Sequence, residues 1–293
     1  MNYEYYKIFY YVAKHKNITK AAAELYSSQP AVTRTIQNME SELGCKLFLR
    51  GKTGVELTHE GQILYEYASV ACRQLIKAEE ELGQNLNPEN GTIYIGATVT
   101  ALHCYLFTEI NKFHAKYPRI KLKISTQSTA QTIEKLKNGT VDLAFVTTPF
   151  ANCKGLTVKK LMSFENVLIA GKRFSALKDK PQSMHDISEY PLICLNKGMQ
   201  LREFIDDIYS AHGLVCDPDI EADSADLIVP MVEHDWGLGF VPEQMAETAL
   251  AKGTAFKVTL KEELPRREVC LITDGGHQQT RASYEFQKSL LKS

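Results

Sequence analysis

Apolar positions in residues 1–58 recur with a helical period, and the pattern predicts three helices followed by two short strands. The first helix has one apolar stripe over residues 5–13, and the second is the short run TKAAAELY, capped by Asn17 or Thr19. The third helix has an inward face of four apolar residues, Val32, Ile36, Met39 and Leu43. After it, two apolar strands flank the turn RGKTG and form a wing. Helices and a wing in this order are typical of DNA-binding domains.

The outward face of the third helix carries the candidate DNA contacts. Gln29 can bond adenine through two atoms, Arg34 can read guanine or hold a phosphate, and Thr33 can contact a thymine methyl or a phosphate. The full set, which includes the turn and the wing, is Ser27, Ser28, Gln29, Pro30, Thr33, Arg34, Gln37, Arg50 and Lys52. The alternative is that they are solvated polar residues of an ordinary surface helix.

Residues 59–90 predict one long helix that ends in a hinge. Its apolar positions are spaced alternately four and three apart, and they are Leu64, Ala68, Ala71, Leu75, Ala78 and Leu82. The helix is expected from residue 59 to about residue 86. At about 1.5 Å per residue it spans roughly 42 Å, which is more than a helix buried in a small domain usually needs. This pattern favours pairing with a second copy in a homodimer, and the alternative is a helix packed on its own domain. Turn-forming residues at 85–91 predict the hinge.

Residues 91–293 alternate strand-like and helix-like runs, which predicts parallel sheets covered by helices, an α/β domain. About 200 residues are many for one sheet, and the pattern of residues 157–171 indicates strands that cross into a second lobe. We expect lobe I to comprise residues 91–161 and 268–293, and lobe II to comprise residues 162–267. A ligand would bind in the cleft between them, at the carboxyl ends of strands.

The candidate effector contacts lie where predicted strands end and helices begin. Thr98 and Thr100 precede a helix, so their hydroxyls and the neighbouring free amides suit a carboxylate or another anion. The full set is Thr98, Thr100, Ser128, Thr129, Thr147, Thr148, Met199 and Gln200. For any single threonine or serine, plain helix capping is an equal alternative. The set as a whole predicts a small, anionic effector.

Composition and charge narrow the class of protein. With 44% hydrophobic and 24% charged residues, the chain of 293 residues is typical of a globular protein with two or three compact units. It has no run long enough for a membrane helix and no signal-peptide core, so we expect a cytoplasmic protein without membrane contact. Residues 1–58 carry eight basic and five acidic side chains, whereas residues 59–90 carry two and six. Positive charge is thus concentrated where DNA binding is predicted.

Catalytic and metal-binding patterns are missing from the sequence. It contains no GxSxG elbow, Walker loop, HExxH or GxGxxG motif, and its eight histidines and seven cysteines lack metal-ligand spacing. We therefore predict no enzyme activity, no cofactor and no metal. A periplasmic-type solute carrier or small-molecule enzyme with an accessory helical domain is the alternative, which leaves SQPAVTR unexplained.

The stretch NITKAAAELYSSQPAVTRTIQNMESELGCKLFLR, followed by GVELTHEG, closely resembles the signature of LysR-type transcription regulators. The later runs KLKNGTVDLAF and GLGFVPE resemble phrases of the same family, so the likeness covers nearly the whole chain. One departure lies in the wing, where the family commonly has two arginines three apart. Here Arg50 occupies the first of these positions, but Thr53 occupies the second. Lys52 can replace the missing arginine as a phosphate contact, although a lysine does not reproduce a bidentate arginine.

The resemblance implies a winged helix-turn-helix, a long linker helix and a two-lobed effector domain like periplasmic binding proteins. It also implies an inverted-repeat DNA operator, a small-molecule effector and dimers that pair into homotetramers. RNA polymerase would be a further partner of an activator. A minority of the family use a cysteine pair as a redox switch, for which Cys194 and Cys216 are candidates. A small buried apolar residue is the alternative explanation of Cys194.

Overall fold

The computed structural model describes residues 2–51, 54–84, 91–151, 153–276 and 279–291. The chain divides into two compact units, Met1–Leu86 and Asn87–Ser293. The elements of the first unit are α1 (Tyr3–His15), α2 (Ile18–Glu24), α3 (Gln29–Leu43), β1 (Phe48–Gly51), β2 (Gly54–Leu57) and α4 (His59–Gln84). The hinge expected at 85–91 lies outside the described residues except for Gly91, the first residue of the next strand.

Local side-chain chemistry sets where the short helices begin. The Asn17 side chain accepts a hydrogen bond from the Lys20 amide, and the Ser28 hydroxyl accepts one from the Ala31 amide, so these residues cap α2 and α3. Between the two candidates for the α2 cap, the structure selects Asn17.

The inward face of α3 packs against the helices before it. Val32, Ile36 and Met39 are buried in one core, which also contains Phe9 of α1. Leu43, which the spacing also assigned to this face, is 40% exposed, because α3 ends there and Gly44 turns the chain away with a φ of 70°.

A buried carboxylate joins α3 to the hairpin. Glu40 accepts hydrogen bonds from the Leu47 amide at 2.9 Å, the Phe48 amide at 3.3 Å and Lys46 Nζ at 2.7 Å. Strand β1 then pairs antiparallel with β2, from Phe48 opposite Leu57 to Gly51 opposite Gly54. The carboxylate thus fixes the start of the predicted wing relative to α3.

The two interpretations of the linker helix apply to different parts of α4. Near its start, Leu64 and Ala68 pack on the core of their own domain, and Tyr65 stacks on Tyr10 of α1. Further along, Leu75 is 46% exposed and Leu82 is 73% exposed. From Ala71 onward, the predicted seam therefore presents apolar side chains that the rest of its own unit leaves open.

The second unit contains two five-stranded sheets. The lobe I sheet has the order β4-β3-β5-β12-β6, from β3 (Gly91–Ala97), β4 (Ile120–Thr126), β5 (Leu143–Thr147), β6 (Leu156–Phe164) and β12 (Arg267–Asp274). The lobe II sheet has the order β11-β7-β10-β8-β9, from β7 (Asn166–Gly171), β8 (Leu192–Leu195), β9 (Ile220–Ala222), β10 (Leu238–Pro242) and β11 (Ala255–Val258).

The expectation of parallel sheets holds for part of each sheet, because both sheets are mixed. Strand β12 runs antiparallel to both β5 and β6, and β7 runs antiparallel to both β10 and β11. The chain passes from β6 directly into β7 and returns through β11 into β12, so these crossing strands enter their sheets without an intervening helical crossover. The first crossing falls after Phe164 rather than after residue 161, and the return is complete at Arg267.

Helices cover the sheets of both lobes. Lobe I has α5 (Val99–Ala101), a π-helical stretch (Leu102–Leu106), α6 (Phe107–Lys116), α7 (Thr129–Lys137) and α12 (Arg281–Leu290). Lobe II has α8 (Met184–Ile187), α9 (Gln200–Ala211), α10 (Ile228–Glu233), α11 (Glu243–Lys252) and two 3-10 turns (Lys172–Leu177 and Ala225–Leu227). Across the described residues, every helix is too short or too polar to cross a bilayer.

The two cysteines singled out in the sequence lie side by side in lobe II. Their sulfur atoms are 4.0 Å apart, and both cysteines are free. Cys194 is fully buried within the lobe II core, as its apolar surroundings in the sequence suggest, and Cys216 is half-buried.

Candidate functional site

The predicted DNA-reading face of α3 is open to solvent. Burial of the opposite face turns the polar side chains outward, and the exposed ones are Ser27, Ser28, Gln29, Pro30, Arg34 and Gln37. Thr33 is half-buried. Within the described part of the chain, Gln29, Arg34 and Gln37 make no side-chain hydrogen bond, so their donors and acceptors are available to another molecule.

The wing contacts cannot be placed in the same way. Strand β1 includes the backbone of Arg50, but the side chain of Arg50 and the whole of Lys52 lie outside the described residues. The DNA contacts of Arg50 and Lys52 therefore remain predictions from the sequence.

A cavity of about 320 Å³ lies between the two lobes of the second unit. Seven of the eight predicted effector contacts line it, namely Thr98, Thr100, Ser128, Thr129, Thr147, Met199 and Gln200. The residues come together because the carboxyl ends of β3, β4 and β5 face the start of α9 across the gap.

Two of these hydroxyls also cap helices. The Thr98 hydroxyl accepts a hydrogen bond from the Ala101 amide at 3.2 Å. The Ser128 hydroxyl accepts one from the Gln131 amide, and the Gln131 side chain accepts one from the Ser128 amide, so the two residues form a capping box. The Ser128 hydroxyl also donates to the Gln131 side chain. The capping alternative therefore holds for Thr98 and Ser128, whose hydroxyls have less capacity left for a ligand.

The hydroxyl of Thr100 is differently placed. Thr100 is 5% exposed, lines the cavity and makes no side-chain hydrogen bond within the described residues. Across the gap, α9 begins at Gln200, and no side chain caps it. The first backbone amides of α9 therefore have no side-chain acceptor. These groups can donate hydrogen bonds to a ligand.

Thr148 does not line the cavity, which corrects its expected place at the rim. Its hydroxyl accepts a hydrogen bond from the Glu268 amide at 2.9 Å, and its carbonyl accepts one from Arg267 Nε at 2.6 Å. Both bonds tie the end of β5 to β12, because the antiparallel pairing brings these strands together. The role of Thr148 is structural.

Arg267, at the start of β12, is a lining residue that sequence reasoning missed. It is 2% exposed, and its guanidinium lies 5.5 Å from the ring centroid of Phe164 and 5.2 Å from that of Phe204. Besides the bond to Thr148, its Nη2 donates to the Thr147 hydroxyl at 2.9 Å. Its Nη1 has no hydrogen-bond partner within the described residues.

Burial lowers the pKa of Arg267 to about 10, so the side chain remains a cation at neutral pH. No carboxylate of the described residues forms a salt bridge with it. A signal was present in the sequence, because Arg267 directly precedes the apolar run EVCLIT, where an arginine enters a buried strand. The cavity thus has a buried positive charge on its wall.

Comparison with known proteins covers both units. Residues 4–62 match the family model described as "Bacterial regulatory helix-turn-helix protein, lysR family", and residues 86–293 match "LysR substrate binding domain". The chain is 30% identical over 235 residues to the HTH-type transcriptional regulator CysB of Burkholderia cenocepacia, covering 79% of this chain and 74% of CysB. It is 29% identical over 290 residues to the "Probable RuBisCO transcriptional regulator" of Porphyra purpurea, covering 96% and 90%.

Solved structures agree on the fold. Full-length CbnR, a LysR family transcriptional regulator, superposes with a TM-score of 0.76 at 17% identity, covering 100% of this chain and 99% of CbnR. CbnR complexed with its target DNA superposes with a TM-score of 0.77 at 18% identity, with the same coverage. The predicted fold class is confirmed.

Proposed function

The chain belongs to the LysR family of transcription regulators, and from this premise we propose that a small anion bound between the lobes controls its binding to an operator. The family comprises DNA-binding regulators with an effector domain and not enzymes. The alternative of a solute carrier or enzyme loses its basis, because residues 4–62 match a DNA-binding domain.

The observation that carries the proposal is the unpaired buried charge of Arg267. Within the described residues no carboxylate pairs with this charge, and its Nη1 lacks a hydrogen-bond partner. A buried charge and a buried donor left in this way are costly, and a charged hydrogen bond to a ligand removes that cost. An anion is the complementary partner, because the guanidinium has donors and no acceptor. Thr100 and the uncapped start of α9 add neutral donors to the same cavity.

Occupancy of the cavity can act as a signal because its walls come from both lobes. A ligand shifts a conformational equilibrium only if it binds one arrangement more tightly than another. An anion held by Arg267 of lobe I and by the first amides of α9 in lobe II depends on the spacing of the lobes. It therefore stabilises one lobe arrangement, which is the state that we propose alters operator binding.

On the DNA side, we propose that Gln29 and Arg34 contact base edges, while Ser27, Ser28, Thr33, Gln37 and the wing fix the helix on the backbone. Two copies joined through α4 would present two such helices to an inverted repeat. Two such dimers would associate into the homotetramer. If the protein is an activator, RNA polymerase would be a further partner. We place the protein in the cytoplasm, where the chromosomal operator lies.

The test is a panel of paired small molecules added to the full chain. Each pair has one anion and its uncharged counterpart, such as propionate with propionamide, and sulfate and phosphate complete the panel. We expect only anions to raise the thermal unfolding temperature and to change affinity for an operator selected from random-sequence DNA. Equal shifts by the uncharged counterparts would refute an anion site.

A further inference from the structure

The cavity between the lobes also has acceptors that lack partners. Asp223, directly after β9, lines it and is exposed. Within the described residues, its carboxylate makes no hydrogen bond or ion pair. Gln127 lines the same cavity, and its Oε1 is buried without a partner in the described chain. The site can therefore accept hydrogen bonds from a ligand as well as donate them from Arg267.

Neighbouring acids in lobe II are satisfied by the protein. Glu221 pairs with Arg202 at 2.5 Å, and Asp226 accepts a hydrogen bond from the Ser224 hydroxyl at 2.5 Å. Asp223 lies between them in sequence and differs from both in facing the cavity without such a partner. Its charge is thus available to a bound cation.

A simple anion would satisfy only half of this site. It would pair with Arg267 but bring no donor to Asp223 or Gln127, and a second carboxylate on the ligand would be repelled by Asp223. A molecule with one carboxylate and one ammonium group meets both demands. Since Arg267 is on lobe I and Asp223 is on lobe II, such a molecule would join the lobes through opposite charges.

We propose that the effector is a small amino-acid-like zwitterion, whose carboxylate binds Arg267 and whose ammonium group binds Asp223 and the Gln127 side-chain oxygen. This inference rests on the proposed anion site in the same cavity. The volume of about 320 Å³ is at the lower end for ligand pockets, and it suits a molecule of amino-acid size rather than a nucleotide.

The test compares three forms of each probe by calorimetry on the full chain. The twenty standard amino acids are each matched with the carboxylate that lacks the amino group and the amine that lacks the carboxylate, such as alanine with propionate and ethylamine. We expect one or a few amino acids to bind about tenfold or more tightly than either partner. If the carboxylate binds as tightly as its amino acid, or if no amino acid binds, the inference is overturned.

Two variants connect the result to the proposed contact. Asp223→Asn should weaken the amino acid about tenfold to a hundredfold and leave the matching carboxylate unchanged or tighter, because a repulsive charge is removed. The control Asp226→Asn removes a nearby acid that already has a protein partner and should change neither affinity. Parallel losses for both probes in Asp223→Asn would mean that Asp223 only supports the fold.

The outcomes separate this inference from the function on which it rests. Carboxylates that bind without any preference for the amino group would overturn the zwitterion and leave the anion site standing. If uncharged molecules bind and neither amino acids nor carboxylates do, the zwitterion inference and the anion site are both overturned.

Discussion

The outward face of α3 and the wall of the inter-lobe cavity both display polar side chains, but they do so in different surroundings. On α3, Gln29 and Arg34 are exposed, solvated and close together in the sequence. In the cavity, Thr100 on α5 and Arg267 on β12 are buried, and they are far apart in the sequence. Solvent reaches the first group directly, whereas we propose that a ligand pairs with the second group.

The difference explains why the two sites suit different partners. A solvated face loses little when its partner leaves, which fits reversible contact with a highly hydrated DNA groove. A buried donor without a hydrogen-bond partner is costly. A ligand that pairs with it can therefore contribute enough free energy to shift the equilibrium between lobe arrangements. Variants in each of these regions test the contrast.

Introducing charge into the open half of α4 should have the largest effect. Leu75→Asp with Leu82→Asp places carboxylates on the seam that we propose pairs two chains. Loss of the dimer removes simultaneous binding of two half-sites, which is worth about 10²–10⁴-fold in affinity. Sedimentation and operator titration measure both changes. The control Val215→Asp alters a residue that is 86% exposed in lobe II and should leave both unchanged. A dimer that persists in the double variant would contradict this role of α4.

Removing the Glu40 carboxylate should destabilise the DNA-binding unit. Glu40→Ala leaves the Leu47 and Phe48 amides unpaired, at a cost of about 2–4 kcal/mol. The rate of hydrogen exchange at these two amides in the full chain measures this loss of stability. Lys46→Ala removes only the exposed ion-pair partner and should cost about 1 kcal/mol or less. Equal losses in the two variants would refute the role of the amide bonds.

Glu40 also predicts how stability depends on pH. Burial alone would raise its pKa, but the hydrogen bonds from Lys46 and the two amides outweigh burial and lower it. A lowered pKa in the folded state means that the stabilisation is present above the unfolded value of about 4.3 and is lost as the pH falls through the folded value. The Glu40→Ala variant should lack this acid loss.

Gln29→Ala tests direct reading by the solvated face. We expect a loss of about 1–3 kcal/mol on the selected operator and little loss on random DNA, because only base contacts distinguish sequences. Lys52→Ala, on the predicted wing, should weaken both DNAs and flatten the salt dependence. Anisotropy titrations at several salt concentrations compare the two. Equal losses on both DNAs for Gln29→Ala would remove it from the base-reading set.

The smallest effect is expected for Thr100→Val, which keeps the shape of the side chain and removes the hydroxyl. Loss of one hydrogen bond to the bound anion should cost about 1 kcal/mol, roughly a fivefold weaker affinity, with operator binding intact. The matched variant Thr98→Val removes a helix cap and should instead lower the unfolding temperature. Unchanged anion affinity in Thr100→Val would place the hydroxyl outside the binding site.

The contrast between the two regions also marks what the sequence can predict. The caps Asn17 and Ser28 and the buried face of α3 depend on residues a few positions apart, and their spacing carries the information. The rim of the cavity was within reach because hydroxyls at strand ends share one edge of a parallel sheet. The contact between Thr148 and Arg267 was not within reach, because it joins antiparallel strands and the two residues are 119 positions apart. The periodicity of a single strand does not indicate whether that strand runs parallel or antiparallel to its neighbours.

The most direct test of the account is the affinity of the tightest-binding carboxylate for variants of one arginine. Calorimetry should give at least a tenfold loss in Arg267→Gln, a partial loss in Arg267→Lys, which keeps the charge without the planar fork, and no change in Arg266→Gln. Arg266 is the matched control because it is the adjacent arginine and its side chain is 68% exposed. Thermal unfolding of each variant verifies that it is folded. Wild-type affinity in a folded Arg267→Gln would contradict the account, because the cavity would then hold its ligand without the buried charge.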